Sequence, residues 1–279
     1  MCVMIFSFSG EIMINDKNDI VLEELSNGVI RFILNDEKRR NALSENMLDV
    51  LFSKIMASAD NPEIRVVIIS ANGPVFCAGH DLKEITQARG NKDKGIIYFQ
   101  KLFDKCSELM KLILANPKPV IAEVDGIATA AGCQLVATCD LAFASNFSKF
   151  ATPGVNIGLF CSTPMVALSR NVLNKHAMEM LLTGDLVDCD RAEQIGLINR
   201  SFPGDVLKEK VNAIARKIAS KSSVTLAVGK KAFYKQSEMT LSDAYAYTSE
   251  IMVDNMLKKD AEEGISAFLT KRKPEWQDK

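Results

Sequence analysis

The sequence predicts an α/β protein whose last quarter is helical, and three observations carry that prediction. Apolar runs of strand length at 66–70, 120–124 and 141–144 alternate with longer stretches whose apolar residues recur at helical spacing. Small-residue bends follow the first two of these runs. After about Asn199 the strand signals cease and helical spacing continues alone.

Taken in order, residues 28–34 read as a strand with Asn35-Asp36 as its turn. Ser44 can cap a helix that carries Met47, Leu48, Leu51, Phe52, Ile55 and Met56 at helical spacing. Pro62 follows it, then the strand at Val66. A second helix covers 97–115 and stops before Asn116-Pro117-Lys118-Pro119, because proline pushes the preceding residue out of the α region. The strand at 120–124, a helix from Ala131 and the strand at 141–144 repeat a β-then-α unit. Segments 205–220, 223–236, 241–257 and 261–271 are helix-like, so the composition shifts near Pro203-Gly204.

Composition narrows the function classes. A chain of 279 residues suits one large domain or a domain with an appendage. Hydrophobic content of 47% and charged content of 25% fit a soluble globular enzyme. A net charge of −1 gives no global reason to expect nucleic acid or an anionic membrane surface as partner. No apolar stretch approaches the length of a membrane span. The 7 cysteines are odd in number and lack C-x-x-C spacing, which points to reduced thiols. With 2 histidines and no Cys/His cluster, no metal site is expected. No G-x-G-x-x-G follows a strand, which disfavours a dinucleotide-dependent oxidoreductase. Residues 1–18 lack a basic start and contain Glu11 and Asp16, unlike a signal or transit peptide; a ragged or misassigned start is the preferred reading.

Two stretches fit together: Phe76-Cys77-Ala78-Gly79-His80-Asp81-Leu82-Lys83-Glu84, and Val124-Asp125-Gly126-Ile127-Ala128-Thr129-Ala130-Ala131-Gly132-Cys133-Gln134-Leu135. Each leaves a strand-like run and bends through small residues, a construction that can leave backbone N–H groups unpaired and aimed at an anion. Two such amides converging on a carbonyl oxygen form an oxyanion hole.

This pair of segments resembles the enoyl-CoA hydratase/isomerase (crotonase) superfamily, over about residues 22–272. The runs Gly-Cys-Gln-Leu and Ala-Thr-Pro-Gly-Val look most like its enoyl-CoA hydratase domain-containing subgroup, which shows the same departures. The resemblance implies a spiral of stacked ββα units over 19–203, preceded by a poorly defined extension, 1–18. It also implies a helical region, 204–279, that packs across a threefold axis and completes a neighbour's CoA pocket, so a trimer or hexamer. It places the oxyanion amides on His80 and Ala131, and the substrate contacts on Arg40, Ala78, His80, Asp81, Leu82, Lys83 and Ala131. The two glutamates of the family's hydratases fall on Gln134 and Gly154. The ligand implied is an acyl-CoA, with coenzyme A as part of the substrate and no other cofactor, in fatty acid metabolism. The location implied is the cytoplasm in a bacterium, or the mitochondrial matrix, for which no clear transit peptide is visible.

The residues themselves qualify the activity. Gln134 can orient a water or carbonyl but cannot exchange a proton at neutral pH, and Gly154 offers only backbone. His80 could replace the missing acid or base, or could pack under a loop or pair with Asp81. Cys161, Ser162 and Thr163 read as helix capping before Pro164 in preference to a nucleophile. Lys38, Arg39, Arg40 and Lys83 suit the phosphates of CoA, or a solvated turn. Lys230, Lys231, Phe233, Tyr234 and Lys235 form a helix face that either reaches a neighbour's CoA or is solvated. Three functions remain open at this point: a hydratase/isomerase-type enzyme, a non-catalytic acyl-CoA binder or regulator, and another CoA-thioester reaction such as isomerisation or thioester hydrolysis.

Overall fold

The computed structural model describes residues 19–279 and, ahead of them, the backbone of two short strands. The expected extension over 1–18 otherwise lies outside the described residues. Strands β1 (Met4–Phe6), β2 (Ile12–Ile14), β3 (Val21–Ser26) and β4 (Val29–Leu34) run antiparallel to one another and lead to helix α1 (Glu45–Asp60).

From there each turn of the chain lays one strand in each of two sheets and then adds helix. β5 (Val66–Ala71) and β6 (Val75–Cys77) precede α2 (Leu82–Ala88) and α3 (Ile96–Ala115). β7 (Val120–Val124) and β8 (Ile127–Thr129) precede α4 (Ala131–Thr138). β9 (Leu141–Ser145) and β10 (Lys149–Ala151) precede α5 (Pro164–Asn171) and α6 (Asn174–Thr183), after which come β11 (Val187–Asp188), α7 (Cys189–Gln194) and β12 (Arg200–Phe202). The larger sheet runs β1-β2-β3-β4-β5-β7-β9-β12, and the smaller β11-β10-β8-β6. Both are parallel from β4 and through β10-β8-β6 respectively. This is the expected spiral of ββα units.

The central strands β5 and β7 are almost wholly buried and apolar except for Ser70 and Glu123, because both of their faces are covered, as parallel strands require. Ile30, Phe32, Leu34, Val67 and Ile69 pack with Met47, Leu51 and Ile55 of α1 and with Leu109 and Ile113 of α3. The opposite residues, Val29, Val66, Ile68, Ile121 and Phe143, meet α8 (Gly204–Ala219) through Leu207, Val211, Ala215 and Ala219. Those four recur every fourth residue, which puts them on one stripe of the helix. Under the same helix Arg31 and Glu123 form a buried pair at 2.6 Å, with Asn212 accepting from the guanidinium.

Ser44 caps α1 as expected, its hydroxyl accepting from the Met47 amide at 3.2 Å. Met56 departs from the expected inner face and is exposed. Helix α2 had no periodic signal in its seven residues, but Asp81 starts it by accepting from the amides of Lys83 and Glu84. Strand β12 corrects the expectation that strands end near Asn199: three residues pair beside β9 before Pro203, too few to show alternation. By packing, α8 belongs to the sheet, whereas α9 (Ser223–Gln236), α10 (Leu241–Met256) and α11 (Lys259–Leu269) bury little. Among the described residues, α10 has no buried side chain, and α9 and α11 bury Ala232, Asp260 and Ala267. Among the described residues no helix is long and apolar enough to cross a membrane.

Candidate active site

Three parallel strands of the smaller sheet end at one edge. β6 releases Ala78-Gly79-His80, β8 releases Ala130-Ala131, and β10 releases Thr152-Pro153-Gly154. The carboxyl edge of a parallel sheet gathers ligands because loops and helix N-termini leave it together. β8 lies between the other two, so Ala131 is flanked by His80 on one side and Gly154 on the other.

The first two segments are in contact. Gly79 has φ +92°, and a Cβ there would sit 2.9 Å from the Ala130 Cβ and 3.3 Å from the Ala131 nitrogen. Thr129 Oγ1 donates to the Ala78 carbonyl at 3.2 Å, and a side chain at Gly132 would run into the Cys77 carbonyl oxygen. Ala130 adopts φ 51°, ψ −118°, a left-handed conformation that costs a non-glycine residue about 1–3 kcal/mol. It is held there by its own N–H to the Ala151 carbonyl at 2.9 Å and by its carbonyl accepting from the Gln134 N–H at 3.0 Å. The strain falls on the residue that aims the Ala131 amide. Among the described residues, neither the His80 nor the Ala131 N–H donates a hydrogen bond. Two donors without partners thus stand on neighbouring strand ends, one of them the first amide of α4, and amides left unpaired at such positions are the groups from which oxyanion holes are built.

The surrounding side chains divide into wall and rim. His80 turns under the entrance to α1: its Nδ1 is 3.1 Å from the Leu43 carbonyl and its ring stands edge-on to Phe103, with centroids 5.4 Å apart. Facing a carbonyl, Nδ1 carries the proton, and the buried Nε2 has no partner. Burial lowers its pKa below the ordinary value, so the ring is neutral. Asp81 does not pair with His80; it caps α2. Leu82 and Lys83 are exposed beside it. The basic segment is brought against the first bend, because Ala78 N–H donates to the Arg40 carbonyl and Leu43 N–H to the Gly79 carbonyl. Arg40 is exposed. Arg39 is held by Asp36 at 2.6 Å and lies 3.8 Å from both Asp81 and Glu84.

Gln134 is buried on α4, and its Oε1 lies 4.0 Å from the Cys106 thiol. Gly154 is buried too, but its surroundings are full: a Cβ would be 2.8 Å from the Leu159 carbonyl oxygen and 2.9 Å from the Cys161 sulfur. Thr163 occupies the cap position of α5, yet its side chain makes no capping hydrogen bond, so the expected cap is positional only. Lys230 and Tyr234 do not reach outward. Lys230 Nζ donates to the carbonyls of Ile113 and Lys118 and pairs with Asp140 at 2.7 Å, and the Tyr234 hydroxyl donates to the same carboxylate at 2.8 Å. They latch α9 to the sheet. Phe103 and Cys106 are the site neighbours that sequence reasoning missed. They sit inside a helix predicted for its periodicity, and nothing local marks the residues that face another segment. Among the described residues there is no cluster able to hold a metal ion.

Comparison with known proteins bears on the family and the fold. The sequence profile of the Enoyl-CoA hydratase/isomerase family matches residues 24–279. Enoyl-CoA hydratase domain-containing protein 3, mitochondrial, of Rattus norvegicus is 51% identical over 249 residues, covering 89% of this chain and 81% of that protein. The crystal structure of human enoyl Coenzyme A hydratase domain-containing protein 3 superposes with TM-score 0.88 at 49% identity, over 92% of this chain and 100% of the other. That of an enoyl-CoA hydratase of Mycobacterium smegmatis gives 0.88 at 46% identity, over 93% and 99%. With the strand-end site, the ββα spiral and these likenesses together, the chain belongs to the enoyl-CoA hydratase/isomerase (crotonase) family, in its enoyl-CoA hydratase domain-containing subgroup.

Proposed function

We propose that this protein binds acyl-CoA thioesters with the carbonyl oxygen held by the backbone amides of His80 and Ala131, and acts on an enoyl-CoA or related acyl-CoA. The observation that carries the reading is the pair of unpartnered amides on adjoining strand ends, aimed by a strained Ala130. Ala78, Asp81 and Leu82 shape the entrance, and the exposed cations Arg40 and Lys83 suit the phosphates of CoA. Coenzyme A enters as part of the substrate, and the reading requires no other cofactor.

Ordinary hydration fits the site poorly. Water addition needs proton transfer, and a positioned acid or base contributes about 10²–10⁴-fold. Position 134 offers a carboxamide and position 154 a backbone hemmed in by Leu159 and Cys161. Crotonyl-CoA should therefore be hydrated at least about a thousandfold more slowly than by a family hydratase with both glutamates. A stopped-time assay that also follows free CoA separates the outcomes. Rapid hydration contradicts the reading, double-bond migration or CoA release identifies another thioester reaction, and binding without turnover identifies a non-catalytic binder or regulator.

The second reading, the binder, is favoured by one feature: the space at Gly154 is occupied, not vacant. Self-association as a trimer or hexamer is supported by the apolar side chains that α10 and α11 leave exposed, among them Tyr245, Met252, Val253 and Phe268. The location follows the source: cytoplasm in a bacterium, or the mitochondrial matrix by analogy with the relatives that carry that designation.

A further inference from the structure

We infer that the site selects acyl groups that are uncharged near the thioester, and that Phe103 is the side chain that reads this. The inference rests on the assignment of the His80 and Ala131 amides to the thioester carbonyl. Helix α3 lies across both amide-bearing segments. Phe103 stands edge-on to the His80 ring at 5.4 Å, and one turn on, Cys106 meets Gln134 at 4.0 Å. Residues three apart share a helix face, so one face of α3 spans the two oxygen-holding amides. Phe103 is 37% exposed, and thus keeps uncovered ring surface available to a ligand. With the oxygen fixed between the amides, the first carbons of the acyl chain must start beside these side chains.

No side chain on that wall carries charge. His80 is neutral for the reasons given above. Burial pushes the Cys106 thiol up to about 12, so it stays protonated. Gln134 and Phe103 have no charge to offer. Of the ionised groups beside His80, Glu84 acts on its ring and Asp81 is the next residue along the chain, while the exposed cations Lys83 and Arg40 stand on the rim and not on this wall. Arg39 is drawn first to Asp36 and only then lies near those two carboxylates. The α3 lysines Lys101 and Lys105 are taken by Glu45 and Asp49 of α1, and Lys111 by Glu108 of its own helix. A carboxylate on a short acyl chain would lose its water here, find no free cation on the wall, and face negative neighbours. A methyl group in its place would pack on the Phe103 ring.

Butyryl-CoA and succinyl-CoA have the same chain length and differ in a terminal methyl against a terminal carboxylate, so they test the inference by calorimetry on the full-length protein. Butyryl-CoA should bind at least about 100-fold more tightly than succinyl-CoA. Phe103→Arg places a cation on the same helix face and should narrow that ratio at least about tenfold, with the far-UV spectrum unchanged. Equal affinities for the wild type overturn the inference while leaving the carbonyl assignment intact. Binding of neither thioester overturns the carbonyl assignment itself. A wild-type preference that a folded Phe103→Arg leaves untouched removes Phe103 from the account, and if that variant does not fold, Phe103→Gln should reduce butyryl-CoA binding and leave succinyl-CoA as weak as before.

Discussion

Positions 134 and 154, on which the family resemblance places the two glutamates of the hydratases, both lack an acid, and they lack it in physically different ways. Gln134 keeps a side chain of glutamate's length and shape, buried against the Cys106 thiol. Gly154 has no side chain, and the backbone oxygen of Leu159 and the sulfur of Cys161 lie within contact distance of where one would start. The first loss is of one ionisable group in an otherwise similar place. The second is of the place itself. Restoring an acid is accordingly a local change at 134 and a rebuilding of the 154–161 loop on the other flank.

The largest effect that follows is on stability at 154. Gly154→Ala should lose about 1–3 kcal/mol by overpacking against the Leu159 carbonyl oxygen and the Cys161 sulfur, and Gly154→Glu more. Urea unfolding measures both, and a neutral Gly154→Ala would mean that the Leu159 carbonyl yields easily.

Gln134→Glu should cost less than Gly154→Glu, about 1–3 kcal/mol at neutral pH, for placing a carboxylate in a buried apolar setting. Burial raises the folded pKa of such a carboxyl above its unfolded value, so its folded form prefers the proton. The variant should match the wild type at low pH and lose stability as pH rises through the folded value. Its hydration of crotonyl-CoA should improve less than about tenfold, because the partner group on the other flank is still missing and such groups act as a unit.

His80→Gln should be the mildest of the three. The wild-type imidazole has its pKa depressed by burial, so below about 6.5 the unfolded chain takes up a proton that the folded chain resists. Stability should therefore fall on acidification from 6.5 toward the lower folded value. The variant should show a shallower slope of unfolding free energy against pH, by less than about 1.4 kcal/mol per pH unit, read from urea unfolding at several pH values. An unchanged slope would mean that the ring is not held neutral.

How much of this was legible in the sequence depends on the range of each interaction. β5, β7, α1 and the end of α3 could be read because apolar runs, a serine cap and the Asn116-Pro117 stop are local signals. The paired bends at His80 and Ala131 could be read because each is a strand, a turn and small residues in succession. β6, β8 and β10 could not, being three residues long apiece, although they place the whole site. Lys230 and Tyr234 look from spacing like a ligand-facing helix side, and only the fold reveals that Asp140, ninety residues earlier, holds them both. The filled space at Gly154 depends on a loop that returns seven residues later. Phe103 over His80 depends on two elements meeting at an angle. Neither leaves a mark in local composition.

The central claim is that two backbone amides hold a thioester oxygen, and it is tested most directly by removing that oxygen from the ligand. Butyryl-CoA and its thioether counterpart S-butyl-CoA share the nucleotide, the pantetheine arm and the chain, and differ in the carbonyl. With two hydrogen bonds at stake, each worth about 0.5–1.5 kcal/mol, calorimetric titration should find the thioester bound roughly tenfold or more tightly. Equal affinity for the thioether would contradict the account.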